Sequence, residues 1–134
     1  MPLLNFIIKS MNYKSIDFIL FITFFILTSL GVALLRFLPI QNTIIVFVGD
    51  TLGNMAGVLV ESSLFIWYKG YYTIKPRIRV IFSVFVGFEV YELIQILLPW
   101  ATFDVHDMIG TLLGTLIAIV INVLIVGFCL KNKI

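Results

Sequence analysis

A run of 23 residues near the C-terminus decides the fold class of this chain: MIGTLLGTLIAIVINVLIVGFCL, residues 108–130. The run contains no Asp, Glu, Lys or Arg. It is too long for a strand, and at about 1.5 Å per residue a helix of this length crosses the roughly 30 Å hydrocarbon core of a bilayer. Because a bilayer offers the backbone no hydrogen-bonding partners, a segment that crosses it must bond to itself. The run therefore predicts a transmembrane helix.

Three further apolar runs precede it, at residues 16–38, 44–68 and 78–98. The four runs cover most of the 134 residues and leave only short connections. The composition agrees, with 61% hydrophobic residues, 12% charged residues and a mean hydropathy of +1.15. Soluble domains carry about twice that share of charge, and disordered chains are far less apolar. We expect a single all-α domain over residues 1–134, a polytopic membrane protein with four transmembrane helices.

Basic residues indicate the orientation of these spans. Eight of the nine lie before the first span, between the second and third, or after the fourth: Lys9, Lys14, Lys69, Lys75, Arg77, Arg79, Lys131 and Lys133. Only Arg36 lies at the opposite side. By the positive-inside rule both termini and the middle connection are cytoplasmic, in a multi-pass protein of a cytoplasmic membrane. The first run is too long for a signal peptide and lacks a cleavage site, so we expect it to be retained.

Two stretches of the sequence resemble each other. The stretch DTLGNMAG at residues 50–57 and the stretch DMIGTLLG at residues 107–114 share Asp and both glycines at an offset of 57. Each opens an even-numbered span, which predicts two helix-hairpins repeated in parallel orientation. Pairs of small residues four apart allow close approach of helices in membranes. We therefore expect the second and fourth spans to pack, against each other or against neighbours, through these glycines: Gly53, Gly57, Gly110 and Gly114.

Polar residues concentrate in the outer half of the predicted bundle. They are Asp50, Glu89, Glu92, Gln95, Asp104 and Asp107. Ionisable groups inside spans are costly and are functional candidates by default. One interpretation is an outward-facing acidic cleft that binds a cation or a polar or cationic head group. The other is structural, with acids that are protonated, cap helices or pair with Arg36.

Metal binding and catalysis have weaker support in the sequence. Asp104, His106, Asp107 and Glu92 are residue types that bind metal ions. Their spacing matches no metal-binding signature, so we predict neither a metal nor a cofactor. No catalytic residue is assigned, and the balance is against an enzyme. Nine scattered basic residues are too few for a nucleic-acid-binding face, so no nucleic-acid partner is expected.

Residues 92–118 resemble the C-terminal motif of the VanZ-like family of small bacterial membrane proteins. Seven motif residues are in register without a gap: Glu92, Gln95, Pro99, Phe103, Asp104, Asp107 and Gly114. The family's Arg, Asn and final Gly positions hold Ala101, Thr111 and Ala118. In the first half of the chain Asp50 fits the family pattern, whereas the Lys, His and Tyr positions hold Thr51, Asn54 and Val58.

This resemblance implies a protein of the bacterial cytoplasmic membrane and the cell envelope. It also implies a link to glycopeptide (teicoplanin) antibiotic resistance, which is known for a founding member and not for most of the family. If the family acts on cell-surface molecules, the acidic outer cleft is where that occurs. Because this chain lacks the family's Arg and His, the chemistry of the family's site cannot be carried over to it in full.

Three functions follow from these observations, with membrane lipids as partners in each. The first is a VanZ-like protein that binds a polar or cationic envelope ligand or lipid head group in the acidic cleft. The second is a small transporter or channel, acting as a homo-oligomer, which the mid-span Glu61 and Glu89 favour. The third is a structural or regulatory subunit of a larger membrane complex, with residues 69–79 as the contact.

Overall fold

The computed structural model describes residues 13–37 and 43–131, which form four α-helices joined by short connections. The helices are α1 (Tyr13–Phe37), α2 (Thr43–Lys69), α3 (Ile74–Gln95) and α4 (Val105–Lys131). The all-α prediction is confirmed, and every helix end lies within four residues of a predicted span. The side chains of Arg36 and Asp50 lie outside the described set.

Two of the helices are long and apolar enough to cross a membrane. The qualifying stretches of the described chain are Tyr13–Gly31 in α1 and Val105–Cys129 in α4. The other two helices carry more polar and charged residues along their length, among them Glu61 in α2 and Glu92 in α3.

The turn between α2 and α3 is fixed by glycine and proline chemistry. Gly70 has a φ of +64° and its N–H donates to the Ile66 carbonyl at 2.9 Å, which ends α2 with a left-handed residue. Pro76 lies in the first turn of α3, where its missing N–H would have had no helical partner. We call this side of the bundle the Gly70 end and the opposite side the Asp104 end.

Helix α2 is the centre of the bundle. It packs against α1, α3 and α4, and α3 also packs against α4. The buried core is small and contains Leu59 and Ile66 of α2, Ile81 of α3 and Ala118 of α4. Phe24 of α1 packs against it. Helices α1 and α3 have no extensive contact with each other, so a direct bond between their side chains is notable.

Close approach of α2 and α4 depends on two glycines of α4. A methyl group added at Gly114 would lie 2.5 Å from the Met55 carbonyl oxygen, and one added at Gly110 would clash with the Thr51 carbonyl. Contacts at 110 with 51 and at 114 with 55 advance in the same direction, so the two helices run parallel. We call this contact of Gly110 and Gly114 with Thr51 and Met55 the glycine seam.

The repeated glycines of α2 have different surroundings. A methyl group at Gly57 would meet the Phe88 ring of α3, and one at Gly53 would have nothing within 4 Å among the described residues. Among the described residues Gly53 has no close contact, so the prediction that it packs against a neighbour stays a prediction. The two halves of the repeat are similar in sequence and unequal in packing, because Gly110 and Gly114 contact α2 while their counterparts do not contact α4.

The distribution of polar and apolar side chains in the bundle is the reverse of that in a soluble protein. Among the described residues, nine buried side chains are hydrophobic and nine are polar or charged, whereas 31 large hydrophobic side chains are exposed. Monomeric soluble proteins rarely expose apolar patches on this scale. In a bilayer, by contrast, polar and small side chains belong between helices and large apolar ones face lipid.

Candidate functional site

Glu92 is the centre of a polar cluster near the Asp104 end. It lies one turn before the end of α3 and only 2% of its side chain is exposed. The amide side chains of Asn54 and Gln95 are its hydrogen-bonding neighbours, and the carboxyl groups of Asp107 and Glu89 are close enough to repel it. We call these five residues the Glu92 cluster; it draws on α2, α3 and α4.

One oxygen of this cluster has no partner. Oε2 of Glu92 is buried and makes no hydrogen bond, and the same holds for Oγ1 of Thr51, one turn before Asn54 on α2. Buried polar atoms nearly always form hydrogen bonds, because a buried polar atom without a partner costs about 1–3 kcal/mol of folding free energy, and a charged atom costs more. Glu92 Oε2 on α3 and Thr51 Oγ1 on α2 are thus both able to accept a hydrogen bond from a donor.

The structure brings four of the six predicted ligand-binding residues into this region. Glu92, Glu89, Gln95 and Asp107 lie in the cluster. Glu92 itself is buried, and the predicted outward-facing cleft stays a prediction. Asp50 lies on α2 one residue before Thr51, and its side chain is outside the described set. Asn54 was not predicted as part of the site.

Asp104 has a structural role. Its Oδ1 accepts the backbone N–H of His106 at 2.8 Å and contacts His106 Nδ1 at 2.9 Å. The Asp107 N–H bonds to the Asp104 carbonyl at 3.2 Å. Asp104 is thus the N-cap of α4, with Asp107 in the first turn, where a carboxylate is favoured by the helix dipole. Of the two interpretations, helix capping holds for Asp104.

Metal binding by these residues is not supported by the geometry. Within the described part of the chain, no three His, Cys, Asp or Glu side chains are placed so that they could hold a metal ion together. Asp104 and His106 are paired with each other at the start of α4, away from the enclosed carboxyl of Glu92.

A second polar cluster lies toward the Gly70 end. Arg77 of α3 is fully buried and forms a two-bond pair with Asp17 of α1, Nη1 to Oδ1 at 2.7 Å and Nη2 to Oδ2 at 2.6 Å. Nη1 also donates to Oδ1 of Asn122 on α4 at 3.0 Å, and Nε donates to the Tyr71 carbonyl at 2.8 Å. We call these residues the Arg77 network.

The Arg77 network is closed by aromatic and backbone contacts. The Tyr13 ring faces the guanidinium at 5.6 Å, and Tyr72 packs edge-on against Tyr13. The Asn122 amide donates to the Ala118 carbonyl at 2.8 Å, which orients its oxygen toward Arg77. Arg77 was predicted as a cytoplasmic loop cation; the structure corrects this, because it is buried inside α3 and its charge is matched by Asp17.

The Arg77 network was missed for an identifiable reason. Asp17 and Arg77 are 60 residues apart, so no helical spacing relates them. The available signal was an unexplained acid, Asp17, inside the first predicted span together with an Arg at the boundary of the third. Charges inside spans usually pair with one another, and that rule names Arg77 as a candidate partner.

Comparisons with known proteins find no similarity: no protein-family model, no curated protein and no solved structure matches the chain. The VanZ-like resemblance of residues 92–118 therefore stays a prediction. The functional argument depends on the two polar clusters alone.

Proposed function

We propose that this chain is an integral membrane protein that binds the primary ammonium head group of an envelope molecule at the Glu92 cluster. The observation that carries the proposal is the buried Oε2 of Glu92, which has no hydrogen-bond partner and lies near two further carboxyl groups. A cation would satisfy this oxygen and reduce the repulsion among the acids. The amides of Asn54 and Gln95 are hydrogen-bonding neighbours of the same carboxyl group.

The inverted polarity supports a location inside a bilayer. A bundle with 31 exposed large hydrophobic side chains and nine buried polar ones in its described part is stable where the surroundings are apolar. We propose that all four helices cross the membrane with both termini on the cytoplasmic side. Lys69, Lys75 and Arg79 at the Gly70 end support this orientation, since an excess of basic residues is typical of the cytoplasmic side. The VanZ-like resemblance would place the protein in a bacterial cytoplasmic membrane.

Cation binding is tested by thermal unfolding of the purified protein in detergent. Sodium, potassium and ethanolamine chlorides are compared at constant ionic strength, with choline chloride as the balance. A ligand present at 100 times its Kd stabilises the folded state by about 2.7 kcal/mol. We expect ethanolamine to raise Tm and to lose that effect in Glu92→Gln, whereas sodium and potassium should leave Tm unchanged.

Glu61→Gln is the matched control, because it removes the same charge from an exposed carboxyl of α2 outside the cluster. It should respond to the cation as the wild type does. An equal response in Glu92→Gln and wild type would remove Glu92 from the site. The absence of any response in the wild type would reject cation binding.

The second candidate is a small oligomeric transporter, which Glu61 favours. Its side chain is exposed in the middle of α2 and lines grooves on both sides of that helix. An exposed mid-span carboxyl is costly in lipid, so a second copy of the chain would be expected to cover it. A proton-flux assay in liposomes tests this function: flux that Glu61→Gln abolishes supports it, and no flux in the wild type rejects it.

A further inference from the structure

The Gly70 end carries a groove that is separate from the Glu92 cluster. It lies between α2 and α3, has a volume of about 880 Å³ and is open along one side. Phe65 of α2 and Phe88 and Val84 of α3 form apolar parts of its walls. The volume falls within the range of about 300–1,000 Å³ that is typical of small-molecule sites.

Cationic residues lie at one end of this groove. Lys69, the last residue of α2, and Arg79, in the second turn of α3, both line it and are exposed. Neither forms an ion pair within the described part of the chain, in contrast to Arg77 two residues earlier, which is matched by Asp17. The basic residues near this turn thus differ in environment: Arg77 is buried and paired, whereas Lys69 and Arg79 are exposed in the groove.

The acidic residue of the groove, Glu61, is not paired with these cations. It is eight residues before Lys69 on α2, about 12 Å along the helix axis. Within the described part of the chain it forms no ion pair with Lys69 or Arg79. An occupant with an anionic group at one end and an apolar body fits this distribution of charge.

The surface around the groove identifies where such an occupant comes from. Phe65 and Tyr91 line it and are exposed, at 48% and 60% of their surfaces. The groove is thus continuous with the apolar surface of the bundle, which an occupant would reach from the bilayer. Basic pockets between helices on the cytoplasmic side of membrane proteins bind anionic lipid head groups.

We propose that this groove binds one anionic phospholipid, with the phosphate between Lys69 and Arg79 and an acyl chain along Phe65 and Phe88. This site is independent of the cation site proposed at Glu92 and uses none of its residues. It depends only on insertion of α2 and α3 in a bilayer.

Native mass spectrometry of the detergent-purified protein tests the head-group contact. Phosphatidylglycerol and phosphatidylcholine with the same acyl chains are titrated, and apparent Kd values are compared. Each basic residue near an anionic head group contributes about fivefold, so Lys69→Gln with Arg79→Gln should weaken phosphatidylglycerol binding about 25-fold. Lys75→Gln, an exposed cation of the same connection that does not line the groove, should change it less than about threefold.

Two glycine substitutions, one in the groove and one outside it, test the acyl-chain contact. Gly87 lines the groove with open space around it, and Gly127 of α4 has equally open space away from it. Gly87→Leu places a side chain where two or three methylenes of the lipid would lie. Each buried methylene contributes about fourfold, so both lipids should bind at least about tenfold more weakly. Gly127→Leu should bind them as the wild type does.

Two results would overturn the proposal. The first is equal binding of both lipids by the wild type and by the Lys69→Gln, Arg79→Gln variant, which would remove the head-group contact. The second is unchanged lipid binding in Gly87→Leu, which would place the lipid outside the groove. Both leucine variants replace a helical glycine by a stronger helix former in open space, so loss of folding is not the expected outcome.

Discussion

The pairing of Arg77 with Asp17 predicts that removing both side chains costs less stability than removing either one. Removing one member of a buried ion pair leaves an uncompensated charge and costs about 3–5 kcal/mol. Both side chains are buried here, at 0% and 2% exposure, so water does not reduce this cost. Asp17→Leu and Arg77→Met should each lower the free energy of unfolding by that amount.

The double variant Asp17→Leu with Arg77→Met should be more stable than either single variant. Removing both charges leaves no uncompensated ion, and apolar replacement of a buried pair is often close to neutral. Two hydrogen bonds of Arg77 to the Asn122 oxygen and the Tyr71 carbonyl are still lost, at about 1 kcal/mol each. We therefore expect a net cost of about 2 kcal/mol.

Unfolding by SDS in mixed micelles measures these free energies, with tryptophan fluorescence as the signal. Trp67 of α2 lies 5.0 Å from the Phe18 ring and is stacked with Phe21, so its emission reports the contact of α1 with α2. Lys75→Met is the control, since it removes an exposed cation from the same turn of α3 and should cost less than about 0.5 kcal/mol. A double variant whose cost equals the sum of the two single costs would refute the pairing.

Three further predictions concern packing, capping and orientation. Gly114→Ala should lower the free energy of unfolding by about 1–3 kcal/mol, because its methyl group meets the backbone of α2. Gly53→Ala should raise it by about 0.5–1 kcal/mol, because alanine is the better helix former and nothing described lies within 4 Å. Equal effects of the two substitutions would contradict the glycine seam. Asp104→Ala should cost about 1 kcal/mol through loss of the α4 cap, and Asp104→Asn should cost little, both read in the same SDS titration; an equal loss in the Asn variant would argue against capping. In intact cells, with the native cysteine replaced by serine, an impermeant maleimide should label Thr102→Cys and not Thr73→Cys; the reverse pattern would invert the proposed topology.

The fold was largely predictable because hydrophobic runs of about 20 residues leave few alternatives. The start of α3 was the least accurate boundary, predicted at residue 78 and observed at Ile74. The charge of Arg77 suggested that the span had not yet begun. In the folded protein Asp17 compensates that charge, so the helix extends through it. A boundary set by a partner 60 residues away is not readable from local composition.

The candidate site was predictable in part. The spacing of Glu89, Glu92 and Gln95 placed them near one helix face, and all three belong to the Glu92 cluster. Their enclosure depends on how far α3 rotates toward α2 and α4, which no periodic pattern of α3 encodes. The glycines show the same limit. Gly53 and Gly110 occupy equivalent positions of the repeated motif, and the rotation of each helix decides which of them contacts a neighbour.

The Arg77–Asp17 pair also has a consequence for synthesis of the chain. Asp17 emerges 60 residues before Arg77, which corresponds to roughly 3–12 s at about 5–20 residues per second. During this interval the first hairpin carries an acid without its partner, and an acid deep in a bilayer is costly. On the proposed four-span topology, with helices that insert in chain order, α1 would keep Asp17 at the lipid–water boundary until α3 arrives. The third helix, rather than the first, then determines when the N-terminal half reaches its final depth.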